Sequence, residues 1–92
     1  MPKIAFYKNL VFYIVSQDLS ERWHLHISNG RNYIWPAKIW IDDCSIFDPG
    51  GLSPQELILA QRLIDKNKDE VLKIISDFQE GKKTKSIDLK LK

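Results

Sequence analysis

A chain of 92 residues, 43% hydrophobic and 28% charged, has the composition of one ordinary folded domain and excludes a disordered or fibrous polymer. Its longest unbroken apolar run, Leu10 to Val15, is six residues, far short of the ~20 that a membrane-spanning helix needs. The net charge of +2 is unevenly placed: residues 1–81 carry nine Lys/Arg against eleven Asp/Glu, while residues 82–92 carry Lys82, Lys83, Lys85, Lys90 and Lys92 against Asp88. The expected organisation is therefore a single domain over residues 1–81 and a basic C-terminal tail over 82–92.

In chain order, Ile4 to Tyr7 is a short first strand and Leu10 to Val15 a second, apolar on both faces as a covered strand would be. Arg22 to Ser28 and Asn32 to Ile41, rich in β-branched and aromatic residues, are the third and fourth. Between them Asn29-Gly30 predicts a hairpin, because both residues tolerate positive φ. A two-residue loop sets His26 opposite Tyr33 and His24 opposite Trp35. A three-residue loop ending at Arg31 sets Leu25 opposite Trp35 and His24 opposite Pro36. The first register surrounds the histidines with aromatics; the second puts them on a polar face with Arg22, Ser28 and Lys38. Pro36 predicts a sheet edge or a bulge.

The Asp48-Pro49-Gly50-Gly51 loop divides the chain, and nine of the ten aromatic residues precede it. After it the hydrophobic period lengthens from two to about three and a half. Ser53-Pro54-Gln55-Glu56 is a capping box with proline at the first helical position, and Leu57, Ala60, Leu63 and Ile64 line one helical face. Asn67-Lys68-Asp69-Glu70 starts a second helix with apolar stripe Val71, Ile74, Ile75 and Phe78, and Gly81 is placed to end it. The predicted class is α+β: a small antiparallel meander followed by a two-helix hairpin on one sheet face. Ile87, Leu89 and Leu91 alternate with polar residues, so the tail is able to add an edge strand.

Chemistry-bearing residues are few. His24 and His26, the only histidines, stand two apart in a strand and so leave the same face, a spacing with which two imidazoles can converge on one metal ion. With a carboxylate from Glu21, or from Asp42, Asp43 or Asp48, the set suits zinc or iron with open positions. Most strand histidines are polar-face residues, so no cofactor is the base expectation and zinc the alternative. Cys44, the only cysteine, forms no internal disulfide and lies beside two aspartates that disfavour its thiolate. No Ser/His/Asp or Cys/His set is apparent, and no catalytic residue is assigned.

Met1-Pro2-Lys3-Ile4, the apolar second strand, His24-Leu25-His26-Ile27, Ala37-Lys38-Ile39-Trp40-Ile41-Asp42 and the helical pair together resemble a family of small bacterial proteins, the domain-of-unknown-function family 4160. The resemblance runs from residue 1 to about residue 80. Family members often carry a His-Pro-Pro run before the His-x-His, where this chain has Glu21-Arg22-Trp23. Their genes commonly sit beside one for another small uncharacterised domain, and the resemblance implies a suspected toxin–antitoxin-like setting rather than a known activity.

Three functional classes follow. The first is a cytoplasmic protein-interaction module that pairs with itself and a small cognate protein. The aromatic surplus supports it, since two helices cover only one sheet face, and Arg22, Trp23, Trp35 and Trp40 are its candidate contacts. The second is a metal-binding protein or metal-dependent hydrolase built on His24, His26 and Glu21. The third is a nucleic-acid-associated protein contacting phosphate through Lys82, Lys83 and Lys85, with Arg22, Arg31 and Lys38 behind them. No membrane association is expected. The start of the chain lacks signal-peptide architecture, and the expected location is the cytoplasm.

Overall fold

The computed structural model describes residues 3–14, 22–30 and 34–91. Five strands run as a meander: β1 (Lys3–Tyr7), β2 (Leu10–Tyr13), β3 (His24–Ser28), β4 (Ala37–Trp40) and β5 (Ile46–Asp48). Helices α1 (Pro54–Lys66) and α2 (Lys68–Gln79) follow, and β6 (Ile87–Asp88) closes the order. The sheet reads β5-β4-β3-β2-β1-β6, antiparallel throughout except that β6 lies parallel to β1. Parallel neighbours need a crossover, and the helical pair supplies it by carrying the chain from the β5 edge to the β1 edge. The α+β class and the meander-then-helices order agree with the sequence reading.

The core lies between the helices and one sheet face. Leu10, Phe12 and Ile14 from β2 and its end, Leu25 and Ile27 from β3, and Ala37, Ile39 and Ile41 from β4 alternate toward it. From the helices, Ala60, Leu63, Ile64, Val71 and Ile75 meet them, the stripes that the helical period predicts. Ser53 caps α1 as expected: its Oγ accepts from the Glu56 N–H at 3.2 Å, and the Glu56 carboxylate accepts from the Ser53 N–H at 2.9 Å. At the end of α2, Gly81 adopts φ +79°, and the Gly81 and Lys82 N–H groups donate to the Phe78 and Asp77 carbonyls at 3.0 and 2.9 Å. That is a Schellman ending, and glycine allows it.

Two sequence expectations need correction, and a third point is a strand that the pattern did not assign. Neither predicted hairpin register occurs. His24 faces Trp40, Leu25 faces Ile39 and His26 faces Lys38, so the connection leaving Ser28 is longer than two or three residues. The two-residue hairpin instead joins β1 to β2, with Tyr7 opposite Leu10 and Lys8 at φ +51°. The physical cause lies at Pro36. Proline brings no N–H to a ladder, and the Trp35 carbonyl is taken by the Gly51 N–H at 2.9 Å. Gly50, at φ +54°, packs so close that a Cβ there would stand 2.5 Å from the Ala37 nitrogen and the Pro36 oxygen. The fourth strand therefore begins at Ala37 rather than Asn32, and Asn32 lies outside the described residues.

Asn67 is the second correction. It stands at the α2 N-terminus, but its side chain caps nothing there. The amide nitrogen donates instead to the Leu63 and Lys90 carbonyls, both at 2.8 Å. The third point is β5, a three-residue strand that no periodicity could announce.

Candidate functional site

Alternation along β3 sends Leu25 and Ile27 to the helical side and His24, His26 and Ser28 to the other face. The register then aligns the neighbours. Tyr13, His26 and Lys38 form one row across β2, β3 and β4, and His24 and Trp40 form part of the next. Their rings make a continuous chain. Tyr13 and His26 centroids are 5.3 Å apart, His26 and His24 5.1 Å, and His24 meets the edges of Trp40 at 5.3 Å and Phe47 at 5.0 Å. Trp40 and Phe47 stack at 4.3 Å. Cross-strand aromatic pairs of this kind stiffen a sheet face as well as covering it.

An ion pair closes one end of the chain of rings. The Arg22 guanidinium lies 4.3 Å from the Trp40 ring centre. Its Nε and Nη2 donate to the two Asp42 carboxylate oxygens at 2.9 and 2.7 Å, and Nη2 approaches Asp43 at 3.2 Å. The Asp42 hydrogen bond raises the Arg22 pKa, and the same bond holds Asp42 below its ordinary carboxylate value. Asp43 is lowered chiefly by Ser45, whose Oγ and N–H donate to it at 2.7 and 2.9 Å. Both aspartates thus serve the β4–β5 turn and Arg22. Asp48 accepts from the Gly50 N–H at 2.9 Å and shapes the next loop.

Burial on this face is graded. Tyr13 and Ser28 are buried, His26 is 9% exposed, His24 and Trp40 are half-buried and Phe47 is 42% exposed. Beside it in the chain, the β3–β4 connection exposes Trp35 at 58% and Ile34 almost fully. Trp23, by contrast, packs against the helix-side core, so it does not join Trp40 and Arg22. Glu21 and Arg31 lie outside the described residues. Among the described residues no three His, Cys, Asp or Glu side chains come together.

Elsewhere, Lys82, Lys83 and Lys85 are all exposed, and Lys82 meets Glu80 at 3.0 Å. Cys44 sits in the β4–β5 turn at φ +59°, and burial raises its thiol pKa, with Lys68 acting against that. Phe47 and Tyr13 are the neighbours of the histidines that pattern reading did not assign. The signal for Tyr13 was available, since it shares a strand face with Val11. Phe47 depended on a strand too short to recognise.

A model of one protein family matches residues 9–74, a span that holds Tyr13, His24, His26, Trp40 and Phe47. The chain belongs to the domain of unknown function DUF4160. No curated protein and no solved structure matched the chain. The matched span runs from the β1–β2 turn into α2 and covers the positions of all five rings, whereas β1 and β6 fall outside it. Among the described residues no helix is long and apolar enough to cross a membrane.

Proposed function

We propose that this DUF4160 chain is a protein-interaction module whose contact surface is the sheet face opposite the helices, and that its occupant is a small cognate protein. One observation carries the reading: a run of five rings lies on the face that α1 and α2 leave uncovered, ending at half-exposed Phe47. Aromatic and arginine side chains on a semi-exposed apolar face are the usual centre of a protein interface. Ile34 and Trp35, in the β3–β4 connection, are further exposed apolar side chains. The suspected toxin–antitoxin-like setting supplies the kind of partner, a small protein encoded alongside. Cytoplasmic location and bacterial origin belong to the same reading.

The test is a mild pull-down from the native cell extract with wild type, Phe47→Ala and Trp35→Ala. A stoichiometric small protein retained by wild type and lost from both variants is expected. Equal recovery by all three, or a chain recovered alone, overturns the reading. A homodimer lost in Phe47→Ala would replace the cognate protein with a second copy.

A second reading is favoured by one distance. Two imidazoles bound tetrahedrally to one ion at Zn–N distances of about 2.0–2.1 Å have ring centres about 5 Å apart. The His24 and His26 centroids lie 5.1 Å apart. Glu21 or a partner's carboxylate would complete the set. Zinc titration into wild type, His24→Ala and His26→Ala decides it: affinity falling in both variants, and with pH below about 6, supports a site. Equal weak binding by all three removes it.

A further inference from the structure

The C-terminal segment is held like a bound peptide. Ser86 Oγ donates to the Lys3 carbonyl at 2.6 Å, and Ile87 and Asp88 pair with Ala5 and Phe6 on the open edge of β1. The Leu89 N–H donates to the Phe6 carbonyl at 2.8 Å, and its side chain, 4% exposed, enters the core. One side-chain amide then reads both backbone groups of the next residue: Asn67 Nδ2 donates to the Lys90 carbonyl at 2.8 Å, and the Lys90 N–H approaches Asn67 Oδ1 at 3.4 Å. Ile87 and Leu91 pack at the margin of the same core. A strand edge and a fixed amide gripping the backbone, with a cavity for alternate side chains, are the parts of a β-addition groove.

The connection to this segment is of a different character. Residues 82–86 lie outside regular structure, are mostly exposed and put no side chain into the core. Lys82, Lys83 and Lys85 repel one another and favour an extended run. Gly81, at φ +79°, has nothing within 4 Å of where a Cβ would stand, so no side-chain packing fixes the chain at this point. Nothing in the groove's contacts requires that the segment come from the same chain.

We propose that the groove between β1 and the α1–α2 junction receives residues 86–91 from a second copy of this chain, so that two copies exchange their C-terminal segments. The occupant is fixed by the groove's own chemistry, because the sequence already seated there matches it at every contact. Exchange reproduces those contacts and adds only the entropy of association, the low-cost route by which identical chains dimerise. The exchanged state grows with protein concentration. It uses the β1 edge, whereas the ring-bearing face lies on the sheet surface, so it does not rest on the interaction reading above.

The test uses the full chain with Cys44→Ser, the only native thiol, in every variant. Lys3→Cys and Ser86→Cys are made separately, both at exposed positions, and mixed at several hundred micromolar with a short bis-maleimide. A covalent heterodimer joining positions 3 and 86 is expected, rising with concentration. Adding Leu89→Asp to the Ser86→Cys chain should reduce that product at least tenfold, because the tail then cannot enter the groove. No heterodimer, or one that Leu89→Asp leaves unchanged, overturns the proposal. The doubly substituted chain is the control: linkage only within one chain at every concentration likewise sinks it. Phe47→Ala should leave the heterodimer yield unaltered, which separates this result from the fate of the ring-bearing face.

Discussion

The two faces of one sheet are buried by different means. On the helical side, Phe12 and aliphatic residues from β2, β3 and β4 meet the stripes of α1 and α2 and exclude water almost completely. On the other, tyrosine, two histidines, tryptophan and phenylalanine pack through tilted, edge-on and stacked contacts and leave the last ring half exposed. Stability should therefore reside on the first face and recognition on the second. The sharpest way to break this contrast is a pair of phenylalanines. Phe12→Ala, in the helix-side core, should cost about 3–5 kcal/mol, the usual range for a buried phenylalanine. Phe47→Ala should cost about 1 kcal/mol, mostly lost ring stacking on Trp40. Urea midpoints measure both, and equal losses would mean that the ring-bearing face is a second core.

The next effect concerns how the helical layer is fastened. Asn67 and Ser53 both look like helix caps in sequence, but only Ser53 acts as one. Asn67→Ala leaves the Lys90 carbonyl without its amide donor and should cost about 1–3 kcal/mol. Ser53→Ala removes one cap and should cost about 1 kcal/mol, with α1 retained because Ala60, Leu63 and Ile64 still pack. Hydrogen exchange distinguishes them further. Asn67→Ala should loosen β6 and leave the first turn of α1 protected; Ser53→Ala should do the reverse. Uniform loss of protection in both variants would argue against this division.

What sequence could and could not reveal follows the same line. The helices were legible because Ser53, Pro54 and Glu56 signal a start locally and the apolar stripes repeat over twelve or thirteen residues. The common face of His24 and His26 was legible because a strand alternates. Their neighbours were not. The register depended on Pro36 meeting Gly50 from a distant loop, and the sequence signal at Asn29-Gly30 is purely local. Gly30, at φ +85°, serves a close approach to the Asn9 carbonyl rather than a tight hairpin. Asn67 reads as a cap from its own neighbours, whereas its partner Lys90 lies 23 residues away.

The smallest expected effect tests the end of the ring-bearing face. Arg22 holds Asp42 below its ordinary pKa, so the pair contributes at pH above the usual carboxylate value of about 4. That contribution is lost as pH falls through the depressed folded-state value, where Asp42 takes up its proton. Asp42→Asn keeps an oxygen for the Asp43 N–H, 2.8 Å away, and removes the charge together with the acceptor of the Arg22 Nε hydrogen bond. Wild type should melt slightly higher than Asp42→Asn near pH 7, and the two should converge in acid. The difference should also shrink with added salt, because both partners of the pair are exposed. If the two already melt alike near pH 7, Arg22 is held by its contact with the Trp40 ring and not by the aspartate. The ring-bearing face would then keep its shape in acid, and its recognition of a partner would be independent of pH at that end.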